Sequence, residues 1–281
     1  MKPQPFDYAD PETLEEVLEL LAQAGDDAAV IAGGQSLIPL LNLRLARPEL
    51  VIDPRRVGAL SAFELGADGL RAGAMARAVD VEEHAAVDRV PGLGEALRQI
   101  GHVQIRSRTT IGGSIAHADP AAELPALLVA LDGEIVLQSA ARGERVVGAG
   151  DFFVGPLMTA RRADELVTSV FFPAHAGSVA VVEVAKRPGD FALVGAVVGH
   201  AIVDGVVSDP RVAVFGMAGR AVRVASAEAA LVGSTPGPEA FAAAAERLRD
   251  EIEPWADAHA SSDYRRHVAA TLVERALVSL S

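Results

Sequence analysis

The sequence predicts an α+β protein: short strands mixed with helices first, then an antiparallel sheet followed by helices. Three observations carry this reading. Two glycine pairs sit close behind β-branched residues, in Val30-Ile31-Ala32-Gly33-Gly34-Gln35-Ser36 and in Thr110-Ile111-Gly112-Gly113-Ser114. Pro173-Ala174-His175-Ala176-Gly177 interrupts the pattern and reads as a linker. Past it come β-rich runs at 179–184, 191–203 and 211–217, then helical stretches at about 238–252 and 262–280. That order fits helices gathered on one face of an antiparallel sheet.

The elements follow in turn. Asp10-Pro11-Glu12-Thr13 opens a helix, with Asp10 expected as its N-cap and Pro11 in the first position. Leu14, Val17, Leu18 and Leu21 recur at helical spacing, and Gly25 closes the helix. Residues 29–31 read as a buried strand that delivers the first glycine pair. A turn or short helix is expected over 36–45 and a strand over 49–53. A second unit begins near Leu70, with a strand over 70–74 and helices over 79–86 and 92–101. After the second glycine pair come an apolar helix at about 121–130 and strands at 134–138 and 165–172.

Composition narrows the function. A chain of 281 residues suits about two domains. Its net charge of −13 argues against nucleic acid or an anionic membrane as partner, because both need a basic footprint. The charge is uneven: residues 7–27 carry acids and no Lys or Arg, whereas residues 98–118 carry Arg98, Arg106 and Arg108 and no acid. The absence of cysteine excludes disulfides, thiolate nucleophiles, cysteinyl flavin links and cysteine-ligated iron–sulfur clusters within the chain. The start of the chain lacks an apolar signal region and no apolar run is long enough to span a bilayer, so a cytoplasmic location is expected.

The glycine pairs point to chemistry. Glycine reaches positive φ without steric cost and lets backbone approach a ligand closely. Successive N–H groups in such turns converge on an anion, and a following helix adds its positive end. Two such cradles suit a diphosphate held from two sides, hence a dinucleotide. The G-x-G-x-x-G fingerprint and the P-loop pattern are both missing. The seven histidines show no metal-ligand spacing, and no Ser/His/Asp arrangement emerges. His102 and His117 flank the second pair and are open to either a phosphate contact or a structural role.

Several segments resemble one flavoprotein family. They are Ala32-Gly33-Gly34-Gln35-Ser36-Leu37, Leu43-Arg44-Leu45-Ala46-Arg47-Pro48, residues 104–114, Ala116-His117-Ala118-Asp119-Pro120-Ala121-Ala122-Glu123-Leu124-Pro125, Lys186-Arg187-Pro188-Gly189-Asp190-Phe191-Ala192 and Gly216-Met217-Ala218. The family is the FAD-binding medium subunit of molybdenum hydroxylases, as in aerobic carbon monoxide dehydrogenase and the flavin part of xanthine dehydrogenase. The resemblance implies a two-subdomain FAD-binding domain of the PCMH/vanillyl-alcohol-oxidase type over 1–175, divided near residue 57. A carbon monoxide dehydrogenase flavoprotein C-terminal domain would then occupy 176–281.

It also implies noncovalent FAD, held by Ala32, Gly33, Gly34, Gln35, Ser36, Leu37, Thr110, Ile111, Gly113, Ser114, Ala116 and Leu166. Ser36 and Ser114 would add hydroxyl bonds to the diphosphate. Glu123 matches an acidic position that binds the adenosine part, although an acid at a helix start is also favoured by the helix dipole. Lys186, Asp190 and Phe191 match a segment that approaches the flavin ring. Phe191 replaces a Tyr found in several relatives, and Gln35, Asn42 and Thr109 also depart from frequent family residues. The implied partners are a molybdopterin-binding large subunit and a small [2Fe–2S] subunit, in a dimer of heterotrimers. The molybdenum cofactor and the clusters would sit only in those partners. A stand-alone flavin oxidase or reductase on the same fold is the alternative, and a nucleotide-binding subunit without redox turnover is a third reading.

Overall fold

Thr13, not Asp10, caps the N-terminal helix. In the computed structural model, which describes residues 2–281, this helix runs Leu14–Ala24. The Thr13 hydroxyl accepts the Glu16 N–H while the Glu16 carboxylate accepts the Thr13 N–H. The reciprocal pair satisfies two donors at once, an advantage that Asp10 lacks. Gly25 ends the helix at φ 54°, as the sequence predicts. Val17, Leu18 and Leu21 pack with Ile52, Val57 and Leu60 in a small core.

That core lies under a three-stranded parallel sheet, in which Leu50–Ile52 runs between Asp7–Ala9 and Ala28–Val30. The Ala28–Val30 strand feeds the first glycine pair, and the helix Leu37–Asn42 follows. A second, antiparallel sheet has the order Phe63–Leu65, Gly69–Gly73, Leu166–Pro173, Glu134–Ser139, Gly143–Gly148. Its central strand is therefore the last of the five in sequence. Helices Leu93–Gln99, Ile111–His117 and Glu123–Ala130 share a core with this sheet, including Leu70, Leu97, Ile115, Leu127 and Phe172.

The C-terminal sheet pairs Ser178–Val184, Val194–Val203, Val206–Phe215 and Val222–Arg223 in antiparallel order. The turn between its two long strands is Asp204-Gly205, both at positive φ, the signature of a two-residue hairpin turn. Alternate residues of one strand serve different cores. Val194, Ala196 and Val198 pack with Phe241, Leu248, Val273 and Leu277 of the helices Pro238–Glu251 and Ser262–Leu280. Val197 instead joins Leu127 and Phe172 in the neighbouring core. The period of two between opposite faces explains the division. Helix Glu123–Ala130 is buried along its whole length, which its lack of a polar face requires.

Candidate flavin-nucleotide site

A cavity of about 620 Å³ opens where the three sheets meet, within the usual range for cofactor pockets. The first glycine pair forms one wall. Gly34 stands at φ 75°, a conformation that glycine adopts without strain. Gly33 is needed for a different reason: a Cβ there would lie 2.2 Å from the Arg108 carbonyl oxygen. Ile31 N–H still bonds the Ile52 carbonyl at 2.9 Å, but from Ala32 to Leu37 no backbone N–H has a protein partner among the described residues. This unbroken run of open donors lines the cavity. The Ser36 side chain makes no capping bond to the helix that follows.

The second glycine pair behaves otherwise, and this corrects the expectation of two matching cradles. Gly112 and Gly113 are not in a turn; they belong to the helix Ile111–His117, and neither has positive φ. Their donors are already used. Ile111 N–H bonds the Ala76 carbonyl and Gly112 N–H the Ala74 carbonyl, both at 2.9 Å, while Gly113 N–H bonds the Thr110 hydroxyl at 3.1 Å. The glycines serve close packing. A Cβ on Gly112 would fall 2.4 Å from the Ala74 Cβ, and one on Gly113 would fall 2.6 Å from Thr110 Oγ1 and 3.2 Å from the Ala32 Cβ. The second pair thus lets a helix approach the first pair and forms the opposite wall.

Most of the expected residues line this space: Ala32, Gly33, Gly34, Gln35, Ser36, Leu37, Thr110, Gly113, Ser114, Ala116, Glu123, Leu166, Asp190 and Phe191. Two do not. Ile111 is fully buried and its side chain belongs to the core. Lys186 points its Nζ at His259 Nδ1, 2.7 Å away. Phe191 lies at the rim, 72 % exposed. Of the two flanking histidines, His117 lines the cavity, whereas the imidazole of His102 sits against Gly189.

Glu123 starts its helix with its carboxyl buried. Loss of solvation pushes its pKa up to about 8, with smaller contributions from the neighbouring carboxylates of Glu183 and Asp119, against the lowering effect of its own N–H. Glu183 is raised to about 7 by burial, and one of its oxygens has no partner. A carboxyl held near its titration point and facing a cavity accepts or donates hydrogen bonds to sugar hydroxyls with little rearrangement.

Sequence reasoning missed Arg161, Glu165, Met75 and Gly101, which also line the cavity. Arg161 donates to the carbonyls of Arg162 and Glu165 at 2.9 and 2.8 Å, and burial lowers its pKa from the ordinary arginine value. Glu165 is clamped by Arg145 through bonds of 2.7 and 2.8 Å. Nothing in the local sequence distinguishes Arg161 from its solvated neighbour Arg162. Among the described residues no group of His, Asp or Glu could hold a metal ion, and no helix is long and apolar enough to cross a membrane.

Fold and site together define a protein with a cofactor-sized cavity walled by open backbone donors, and comparison with known proteins makes the class a flavin-binding oxidoreductase subunit and the family specific. Residues 4–175 match the family described as the FAD binding domain in molybdopterin dehydrogenase, and residues 180–280 match the carbon monoxide dehydrogenase flavoprotein C-terminal domain. The chain is 40 % identical to the nicotine 6-hydroxylase medium subunit of Paenarthrobacter nicotinovorans, covering 99 % of this chain and 98 % of that one. Carbon monoxide dehydrogenase from Hydrogenophaga pseudoflava superposes with a TM-score of 0.95 at 37 % identity, over 100 % of this chain and 98 % of that one. Quinoline 2-oxidoreductase from Pseudomonas putida 86 gives 0.95 at 36 % identity with the same coverage. The chain belongs to the family of FAD-binding subunits of molybdenum hydroxylases. Its cofactor is FAD, and the comparisons support the subunit reading over a stand-alone flavin enzyme.

Proposed function

We propose that the chain holds FAD noncovalently along this cavity and acts as the electron-collecting subunit of a three-part molybdenum hydroxylase. The run of open N–H groups from Ala32 to Leu37 carries the reading, since a diphosphate supplies the acceptors they lack. Ser36 and Ser114 add hydroxyl donors from the two walls, and Gly113 keeps those walls close. Glu123 takes the ribose hydroxyls, and Asp190 and Phe191 border the flavin ring at the rim. Lys186, paired with His259, acts on the ring only through the loop it anchors. Ile111 contributes through the core that sets the second wall.

When bound, FAD supplies the redox chemistry, accepting electrons and releasing them to an external acceptor. The chain's own work is to bind, orient and partly shield it. The chain's relatives are medium subunits, which supports partners in the form of a molybdopterin-binding large subunit and a small [2Fe–2S] subunit, and with no cysteine here the clusters of such an assembly lie outside this chain. We read the assembly as a cytoplasmic dimer of heterotrimers, with this chain divided into domains at about 1–175 and 176–281.

The test is to purify the chain alone and together with the products of its neighbouring genes. Denaturation should release FAD, with neither FMN nor flavin attached to the polypeptide. Substrate should reduce the flavin rapidly only in the assembled complex. Rapid reduction in the isolated chain would overturn the subunit reading.

A further inference from the structure

The helix Ser262–Leu280 hides a charge that a packing helix does not need. Arg265 is 2 % exposed, the bulkiest of the fully buried side chains. Its guanidinium donates to the Leu193 carbonyl at 2.5 Å, to the Gly216 carbonyl, and to the Asp257 carboxylate at 2.6 Å. Its Nε has no partner. Burying an arginine with one donor unsatisfied is a poor way to gain stability, because an apolar side chain of similar volume would do as well.

The two carbonyls show what the charge holds. Leu193 closes the base of the loop between the strands Ser178–Val184 and Val194–Val203, its N–H bonding the Val184 carbonyl at 2.8 Å. The tip of that loop, Gly189 to Phe191, lines the mouth of the cavity. It abuts the far lip so closely that a Cβ on Gly189 would lie 2.6 Å from the His102 ring. Gly216, at φ 74°, supports the same loop: a Cβ there would lie 2.8 Å from the Ala192 carbonyl oxygen. Its N–H donates to the Pro120 carbonyl at 2.8 Å, beside the cavity-lining Asp119. One guanidinium therefore ties the loop base to the backbone that borders the nucleotide end.

We propose that Arg265 is a positioning residue of the flavin site, setting the place of Phe191 and Asp190 at the cavity mouth through the Leu193 and Gly216 carbonyls. The proposal rests on the reading of this cavity as the FAD site. Asp257 orients the guanidinium and is itself held by the N–H groups of His259 and Ala260, at 2.7 and 3.0 Å. His259 in turn reaches Lys186 at the other end of the loop. The connection before the C-terminal helix thus grips both ends of the segment that carries Phe191. A lysine at position 265 keeps the charge but loses the planar fork that serves three acceptors.

The test compares R265M, R265K, F191A and R265M/F191A in the FAD-loaded protein purified with its partner subunits. FAD affinity, the visible absorption bands, the flavin midpoint potential and thermal stability are measured for each. R265M should weaken FAD binding by about tenfold, because the mouth loop shifts while the Ala32–Leu37 donors stay in place. It should also shift the bands and the potential in the same direction as F191A, with R265K recovering part of the shift. The double variant should bind FAD less weakly than the two single losses multiplied together, since both substitutions act partly through the Phe191 contact. Wild-type bands and potential in R265M, with only a lower melting temperature, would reduce Arg265 to a structural role and overturn the proposal. If R265M does not accumulate, D257N is read by the same bands: a shift supports the proposal and an unshifted spectrum overturns it. An F191A variant with unchanged bands, potential and affinity would take Phe191 away from the flavin and overturn the proposal while leaving the cavity reading standing. That reading itself falls only if Gly34→Val, at the open donors of the first wall, keeps full FAD occupancy.

Discussion

The two glycine pairs look alike in sequence and do opposite work. The Gly33-Gly34 segment leaves a strand with its N–H groups open to the cavity. The Gly112-Gly113 segment starts a helix with its N–H groups already bonded to Ala74 and Thr110. In the first pair glycine exposes donors; in the second it removes side chains so that two elements touch. The lesson is that a Gly-Gly dipeptide marks close backbone approach, while the local hydrogen-bond ledger decides whether a ligand or the protein itself is approached.

Substitutions can break this comparison. Gly34→Val should have the largest effect on the cofactor. A β-branched residue at φ 75° is strained by about 1–3 kcal/mol. The loop then relaxes and loses its donor alignment, so FAD affinity should fall about ten- to a hundredfold while the fold persists. Flavin absorbance of the folded variant checks this, and full occupancy would remove the first pair from the site.

Gly112→Ala should do the reverse. The added methyl meets Ala74 at 2.4 Å, an overpacking that costs about 1–3 kcal/mol of stability. Thermal unfolding of the FAD-free protein should show the loss, whereas FAD affinity of the folded molecules should change little. A large fall in affinity without a fall in stability would mean that the second pair also meets the cofactor through its backbone.

The smallest and most selective effect concerns Glu123. Burial raises its carboxyl from 4.5 to about 8, so in the free protein it is protonated at neutral pH. Hydroxyls donated by ribose favour the ionised form, so binding releases a proton. FAD affinity should therefore rise with pH, by at most about tenfold per unit, and level off above about 8. Glu123→Gln should flatten the profile. The sign for folding is opposite: a carboxyl raised in the native state destabilises the free fold as pH climbs from 4.5 to about 8. Titrations of both proteins by fluorescence quenching, and melting temperature against pH, check the two signs.

The sequence was informative where structure is local. The apolar spacing of Leu14 to Leu21 with Gly25 after it, and the β-rich run at 191–203, each correspond to an observed element. Asp10 failed as a cap because Thr13 and Glu16 form a reciprocal box, also written locally but overlooked. The open donors of the first glycine pair were legible because they lie on consecutive residues. Lys186 was assigned to the flavin ring through the resemblance, yet its partner is His259, 73 residues further along. Arg161 and Arg265 left no readable trace, since a buried guanidinium has the same letter as a solvated one.

By itself, then, the sequence determined the types of elements, the family, the absence of cysteine-borne redox groups and the position of one glycine turn that faces the cavity. Tertiary structure alone decided that Leu166–Pro173 runs through the middle of a sheet whose other strands precede it in sequence. It also decided that Glu123–Ala130 is enclosed by two sheets and that the second glycine pair is a packing surface. The physical reason is the same in each case. Whether a backbone donor is free, or a carboxyl shifted, depends on which distant residues arrive beside it, as Ala74 and Ala76 do for the second pair and as burial, with the lesser charge of Glu183, does for Glu123.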